Sequence, residues 1–250
     1  MNTLDDRIEQ AANMLSRSVS VAVSTGAGMS KESGIPTFRD APNALWEQYD
    51  PQELASPGGF LKNPALVWNW YNDRRTMIAK AEPNPGHHAI AELAELFERF
   101  TLITQNIDNL HRRAGSADVI EIHGNIFRYK CFENEHPCEE PFEGDDLPPR
   151  CSCGSMIRPD VVWFGEQLSE DRIRQAFEAL HACDILLIVG TSGTVVPAAY
   201  FPSIAKQHGA GIIEINPERS HITHESDVFV QGPAGEVLPR VVARLKELRE

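Results

Sequence analysis

The stretch "DILLIVGTSG", Asp184 to Gly193, decides the fold. Ile185 to Val189 are apolar without a break, and Gly190 ends the run. A strand with one wet face alternates apolar and polar residues, so an unbroken run this short reads as a strand covered on both faces. The form returns in "SVAVSTGAG" (20–28), "FTLITQNID" (100–108) and "GAGIIEINPE" (209–218). Helical stretches alternate with these strands. Residues 4–15 place Leu4, Ile8, Ala11, Ala12 and Leu15 on one side; "HHAIAELAELF" and "SEDRIRQAFEALHAC" follow, the latter with Ser169 as N-cap. "VIEIHGNIF" (119–127) reads as one more short extended element, and a last strand and helix close the chain. Strands alternating with helices predict an α/β fold with a mostly parallel sheet.

Several of these strands end directly in polar or glycine residues: Thr25-Gly26, Gln105-Asn106, Gly190-Thr191-Ser192 and Asn216-Pro217. Open parallel sheets bind ligands beyond the carboxyl ends of their strands. The site is therefore expected where four separate pieces of sequence converge on one edge. Two segments stand off the sheet: 41–85, helical and aromatic-rich, and 127–160, rich in Cys, Pro, Glu and Asp.

The 250 residues are 42% apolar and 24% charged, as in a soluble globular protein, and the net charge of −13 argues against a general nucleic-acid binder. The start lacks the apolar core of a secretory signal, and no window is apolar enough for a membrane span, so a cytoplasmic protein without a membrane partner is expected. Cys183 reads as a small buried residue.

In "TGAGMSKESGIPTFRD" (25–40), Gly26 and Gly28 let backbone N–H groups approach a pyrophosphate, although a tight strand-to-helix turn explains them too. The dinucleotide spacing G-x-G-x-x-G is not met, because the next glycine is Gly34. With "TQNIDNLHRRAG", "IEIHGN", "PDVVWFGE", "GTSGTVVPAA" and "IEINPE" in order over about residues 20–235, the chain resembles the sirtuins, NAD-dependent protein-lysine deacylases. The resemblance implies a Rossmann-like domain over 1–40, 86–126 and 161–250, a helical acyl-pocket module over 41–85 and a small zinc-binding module over 127–160. It places Gly26, Ala27, Gly28 and Ser30 on the pyrophosphate side of NAD and Ile35, Pro36, Phe38 and Arg39 in a loop over the nicotinamide. Gln105, Asn106, Ile107 and Asp108 then hold the nicotinamide end, and Gly190, Thr191, Ser192, Asn216 and Ala234 the adenosine side.

His123, between two apolar runs, suits a hydrogen-bonded structural residue and a catalytic base equally well on spacing alone. By resemblance it is the base, acting with Asn106 and Asp108; it deprotonates a ribose hydroxyl, and NAD is consumed, with release of nicotinamide and 2′-O-acyl-ADP-ribose. Mono-ADP-ribosyl transfer and a non-catalytic ADP-ribose-binding module are the alternative readings. The partners implied are acylated lysines of proteins, met by a monomer or weak dimer. "VVWFGE" (161–166) offers Val162, Trp163, Phe164 and Gly165 as a backbone edge for an extended peptide, or else as a hinge.

Cys131, Cys138, Cys151 and Cys153 supply four thiolates, which in an intracellular chain suggest one structural zinc ion more than disulfides. The C-x-C gap is tight, and His136 is an alternative to Cys138. In "NPALVWNWYNDRRTMI" (63–78), Asn63 reads as N-cap and Pro64 as the first helical residue. Tyr71 and Arg74, three apart, share a face and form a receptor for a carboxylate. Sirtuins that remove succinyl or malonyl groups carry this Tyr-x-x-Arg pair, and Ala55 matches their small pocket residue. Arg75 points elsewhere and is expected in a surface or interdomain ion pair, while Trp68 and Trp70 are expected in the core.

Overall fold

A computed structural model describes residues 3–36, 51–142, 144 and 146–250. Helix α1 (Leu4–Ser16) leads into strand β1 (Ser20–Thr25) and a 3-10 helix over Ala27–Ser33. Helices α2 (Pro51–Leu54), α3 (Pro57–Lys62), α4 (Pro64–Lys80) and α5 (Pro85–Glu95) precede β2 (Arg99–Thr104), α6 (Leu110–Arg113) and β3 (Val119–Glu121). Strands β4 (Gly124–Cys131), β5 (Pro137–Cys138) and β6 (Ile157–Val161) come next. The chain ends in α7 (Glu170–Ala182), β7 (Ile185–Val189), α8 (Phe201–Gln207), β8 (Gly211–Asn216), β9 (Val228–Gln231) and α9 (Ala234–Arg249).

The expected sheet is present, with six strands in the order β3-β2-β1-β7-β8-β9, every pair parallel. The order reverses between β1 and β7, the switch point at which such sheets bind ligands. Register explains why the strand ends act together: Thr25 lies beside Thr104 and Val189, Thr104 beside Glu121, and Val189 beside Ile215. The residues that follow them, Gly26, Gln105, Ile122, Gly190 and Asn216, therefore sit along one edge.

The unbroken apolar runs have a direct cause. Ile185, Leu187 and Val189 face a core shared with α1, α5 and α9, while Leu186 and Ile188 face a second core built with α7 and α8. With helices on both faces, neither set of side chains meets water. Cys183 lies in the second core, as expected. In α1, Ile8, Ala11, Ala12 and Leu15 are buried, whereas Leu4 at the first turn is exposed.

"VIEIHGNIF" is not one element. β3 belongs to the large sheet, and β4 opens a separate antiparallel sheet of three strands, β5-β4-β6. The break falls at Ile122-His123. Gly124 has φ +86, and a Cβ there would lie 2.0 Å from the Asp160 carbonyl oxygen, so only glycine allows β6 to press against the corner. A third core joins α3 and α4 to this small sheet through Phe60, Val67, Trp70, Tyr71, Ile78, Leu110, Ile126 and Trp163. Helix α4 begins as expected, with Asn63 Oδ1 accepting from Leu66 N and Pro64 in the first turn. Arg75 departs from expectation: its Nε donates to the Ile126 carbonyl (2.8 Å) and its guanidinium lies 4.4 Å from the Tyr129 ring centre. It ties α4 to β4 by a backbone contact and a cation–π contact. Among the described residues no helix is long and apolar enough to cross a membrane.

Candidate active site

Two turns meet at the switch point. Gly26 N donates to the Val189 carbonyl (3.0 Å) and Gly28 N to that of Gly190 (2.8 Å). A Cβ on Gly28 would lie 2.8 Å from Gly190 Cα, and one on Gly190, at φ +61, would lie 2.4 Å from Met29 N. These glycines are needed first for the turns to touch each other. Their contact brings the start of the 3-10 helix to the sheet edge, where its N–H groups favour an anion.

Behind the turn the hydrogen bonds admit one proton arrangement. Ser30 Oγ donates to Asp108 Oδ2 (2.6 Å) and accepts from Asn106 Nδ2 (3.0 Å), whose other proton goes to the Gly26 carbonyl (3.0 Å). Asp108 Oδ1 accepts from Leu110 N (3.0 Å). Burial pushes the Asp108 carboxyl up, against the Ser30 and Leu110 bonds and the Arg74 charge. Gln105 Nε2 donates to Thr191 Oγ1 (3.2 Å), and Asn216 Nδ2 donates to the Thr191 carbonyl (2.8 Å). The structure thus joins Gly26, Gly28, Ser30, Gln105, Asn106, Asp108, Gly190, Thr191 and Asn216, read from four pieces of sequence, into one edge.

His123 follows the end of β3, and its Nδ1 is 2.9 Å from the Gln105 carbonyl oxygen. A carbonyl only accepts, so Nδ1 carries the proton and Nε2 keeps its lone pair. Burial lowers the His123 pKa, against that carbonyl bond, so the ring is neutral near pH 7. Neutral imidazole with a bare Nε2 is a base ready to act. The His123 carbonyl accepts from Val162 N (2.9 Å), coupling the ring's backbone to the 161–166 edge. Phe164 N in turn donates to the Ala55 carbonyl (2.8 Å).

Tyr71 and Arg74 share the inner face of α4. Tyr71 is 3% exposed, and its hydroxyl accepts from Trp163 Nε1 (2.9 Å). Burial pushes the phenol up to about 12. Burial also lowers the Arg74 pKa, outweighing the attraction of Tyr71 and Asp108. The Arg74 guanidinium carbon lies 5.5 Å from the Trp70 ring centre.

In the small sheet, the ligand atoms of Cys131, His136, Cys151 and Cys153 all lie within 4.8 Å of one another. The sulfurs of Cys151 and Cys153 are each 3.6 Å from that of Cys131. Thiolates on a tetrahedral zinc at 2.3 Å stand about 3.8 Å apart, so these spacings suit the metal. The Cys151–Cys153 pair, at 2.7 Å, has to open by about 1 Å to share it. Cys153 is pulled down to about 6, first by its bond from the Cys151 thiol and then by Ser155 N–H and His136, which favours the thiolate.

A family model described as the Sir2 family matches residues 26–197. The chain is 52% identical over 238 residues to the NAD-dependent protein deacylase 2 of Pyrobaculum aerophilum, covering 94% of each. It superposes on a Sir2 homologue–NAD complex with a TM-score of 0.89 at 41% identity, covering 97% of this chain and 95% of that one. A second match is a Sir2 protein bound to a myristoylated histone peptide, with a TM-score of 0.77 at 37% identity and 98% of each chain covered.

The chain belongs to the Sir2 family. It is a sirtuin-type NAD-dependent protein deacylase acting on acyl-lysine.

In this sirtuin His136 joins Cys131, Cys151 and Cys153 in the group of possible ligands, and the Cys138 sulfur borders that group, 3.9 Å from His136 Nδ1 and next to the Cys151 thiol. Cys138 and Cys151 both pack beside the Trp68–Tyr129–Ile157 cluster. Phe38 and Arg39 lie outside the described residues. Of the same loop, Ile35 is buried and holds Ser30's carbonyl through its N–H (3.3 Å), while Pro36 is exposed. Ala27 is exposed at the turn, Ser192 is partly exposed with its hydroxyl 2.8 Å from that of Thr194, and Ala234 is buried at the start of α9. Ile107 packs against the third core.

His87, in the first turn of α5, belongs to the same hydrogen-bonded group as Ser30. It is fully buried; Asn84 N donates to its Nδ1 (3.2 Å), so Nε2 carries the proton and faces Ser30 Oγ at 3.5 Å. Its ring lies 4.8 Å from that of His111, whose Nε2 meets Thr25 Oγ1 (2.9 Å). The signal was available in "NPGH", where Asn84 caps the helix and His87 answers it from the third position.

Proposed function

We propose that this sirtuin removes dicarboxylic acyl groups, succinyl and malonyl, from protein lysines, and retains deacetylation. The observation that carries the reading is the Tyr71–Arg74 pair: a buried phenol held protonated and a half-buried guanidinium three residues on in the same helix. Ala55, in the same core as Tyr71 and Trp163, is a small side chain, which suits a longer acyl chain. In this reading segments 1–40, 86–126 and 161–250 hold the dinucleotide, 41–85 the acyl end, and 127–160 a structural zinc.

Bound NAD supplies an electrophilic ribose carbon and a nicotinamide leaving group, and the products are nicotinamide and the 2′-O-acyl-ADP-ribose. The chain's own part is positional. Gln105, Asn106 and Asp108 orient the nicotinamide end, with Ser30 fixing the last two. His123 Nε2 accepts the proton of a ribose hydroxyl, a poor nucleophile until a base takes it. The 161–166 edge pairs with the substrate backbone, which makes selectivity for peptide sequence weak and selectivity for the acyl group strong.

Peptides carrying succinyl-, malonyl- or acetyl-lysine, assayed with NAD on wild type and Arg74→Met, test the reading. A hydrogen bond to a charged group is worth about 1.5–3 kcal/mol, so the succinyl-to-acetyl ratio of kcat/KM should fall by about 10- to 150-fold. A proportionate loss on every acyl group would overturn it.

A further inference from the structure

The dicarboxylate reading rests on two side chains, yet the phenol of Tyr71 does not stand alone. Trp163 Nε1 meets its oxygen at 2.9 Å in a buried contact. An indole nitrogen only donates, so Tyr71 is the acceptor in this bond. A phenol has one proton, which prefers the plane of the ring and so has two directions to choose from. The indole N–H occupies one of them.

The indole is itself held. Arg158, 1% exposed, places its guanidinium carbon 3.3 Å from the Trp163 ring centre. That guanidinium forms a pair of bonds to Glu166, one through NH2 to Oε2 at 3.0 Å, and NH2 also donates to the Val161 carbonyl (2.6 Å). Glu166 Oε2 accepts from Trp163 N as well (2.8 Å), which locks backbone and ring of residue 163 to the same carboxylate. Phe60 packs against the indole with ring centres 5.2 Å apart. In the reading above the substrate meets 161–166 through backbone, while the Trp163 side chain reaches inward to Tyr71.

We propose that Trp163 is a positioning residue for acyl selectivity: its indole N–H, steadied by Arg158 and Glu166, takes one side of the Tyr71 oxygen and so turns the phenol proton toward the acyl carboxylate. The inference depends on the dicarboxylate reading above and adds to it a third residue that acts only through Tyr71. The burial that keeps the phenol protonated agrees with this role.

The test is a double-mutant cycle with Trp163→Phe, Tyr71→Phe and the pair, read as the succinyl-to-acetyl ratio of kcat/KM at saturating NAD. Phenylalanine keeps an aromatic ring at 163 and loses the donor. Trp163→Phe should lower the ratio about 3- to 10-fold, the scale of one neutral hydrogen bond, mainly by raising KM for the succinyl peptide. In the Tyr71→Phe background the same substitution should leave the ratio where it was. A further fall there, or equal loss of both activities in Trp163→Phe, overturns the proposal. If Arg74→Met and Tyr71→Phe lower the ratio and Trp163→Phe does not, the proposal fails while the dicarboxylate reading stands. If none of the three moves the ratio, the dicarboxylate reading itself fails.

Discussion

Acid should loosen this protein through His87. The folded chain holds its ring neutral: burial, with a smaller push from His88, lowers the pKa from 6.5 to about 4. Protonating Nδ1 also breaks the bond it accepts from Asn84 N. In the unfolded chain the ring titrates at its ordinary value and so binds a proton first as pH falls. The unfolded state therefore binds more protons between about 6.5 and 4, and stability declines as pH drops through that window. Linkage between those two values gives a loss of about 2 kcal/mol from pH 7.5 to 5, and of about 3 kcal/mol once both states are protonated. His111, also held well below 6.5 by burial, adds a loss of the same sign. The perturbation is His87→Asn, which cannot titrate and whose carbonyl oxygen can still accept from Asn84 N. Urea unfolding of both chains at pH 7.5 and 5, with zinc in excess, measures the difference. Wild type should lose about 2 kcal/mol more than the variant over that interval. Equal losses would refute the reasoning, because terms from groups out of reach of residue 87 cancel and the His111 term, which the His87 charge makes larger in wild type, adds to the difference.

Two further outcomes follow from the site. The kcat/KM profile should fall on the acid side with a midpoint below 6.5, because burial lowers the His123 pKa and keeps Nε2 available to more acid pH; an acid limb centred above 6.5 contradicts that tautomer and burial. Cobalt(II) titration of the zinc-free chain should show an affinity loss of at least about tenfold for His136→Ala and much less for Cys138→Ser, with the spectrum of a three-thiolate, one-imidazole site; the reverse order would return Cys138 to the metal.

The large sheet was legible because its strands are short, apolar throughout and stopped by polar or glycine residues, and both features follow from helices packed on each face. The same rule located the site, since parallel register brings the stops to one edge whatever their separation in sequence. It failed at "VIEIHGNIF", where an apolar run crosses from one sheet to another; periodicity does not record which sheet a residue joins, and Gly124 was the local sign of the corner. What stayed hidden depends on partners far along the chain. The tautomer of His123 is set by a carbonyl at residue 105, and the burial of His87 by a turn at Ser30. That His136 comes within 4.8 Å of Cys131, Cys151 and Cys153 depends likewise on residues brought together from separate turns.

A protein that uses polar side chains at a sheet edge must fix their protons before a ligand arrives, because a freely rotating hydroxyl serves a donor and an acceptor equally. Ser30 gives its proton to Asp108 and takes bonds from Asn106 and His87; Tyr71 takes a bond from Trp163 and so has one direction left to give. In the reading proposed above, Ser30 and Tyr71 serve the dinucleotide and the acyl end, and at each a side chain behind the hydroxyl constrains where its hydrogen points. Neither of the two decisive residues, His87 and Trp163, lies on the turn motif that marks the fold. Substitutions at them should therefore change selectivity or pH response while the glycine turns, and with them the sheet edge, remain in place.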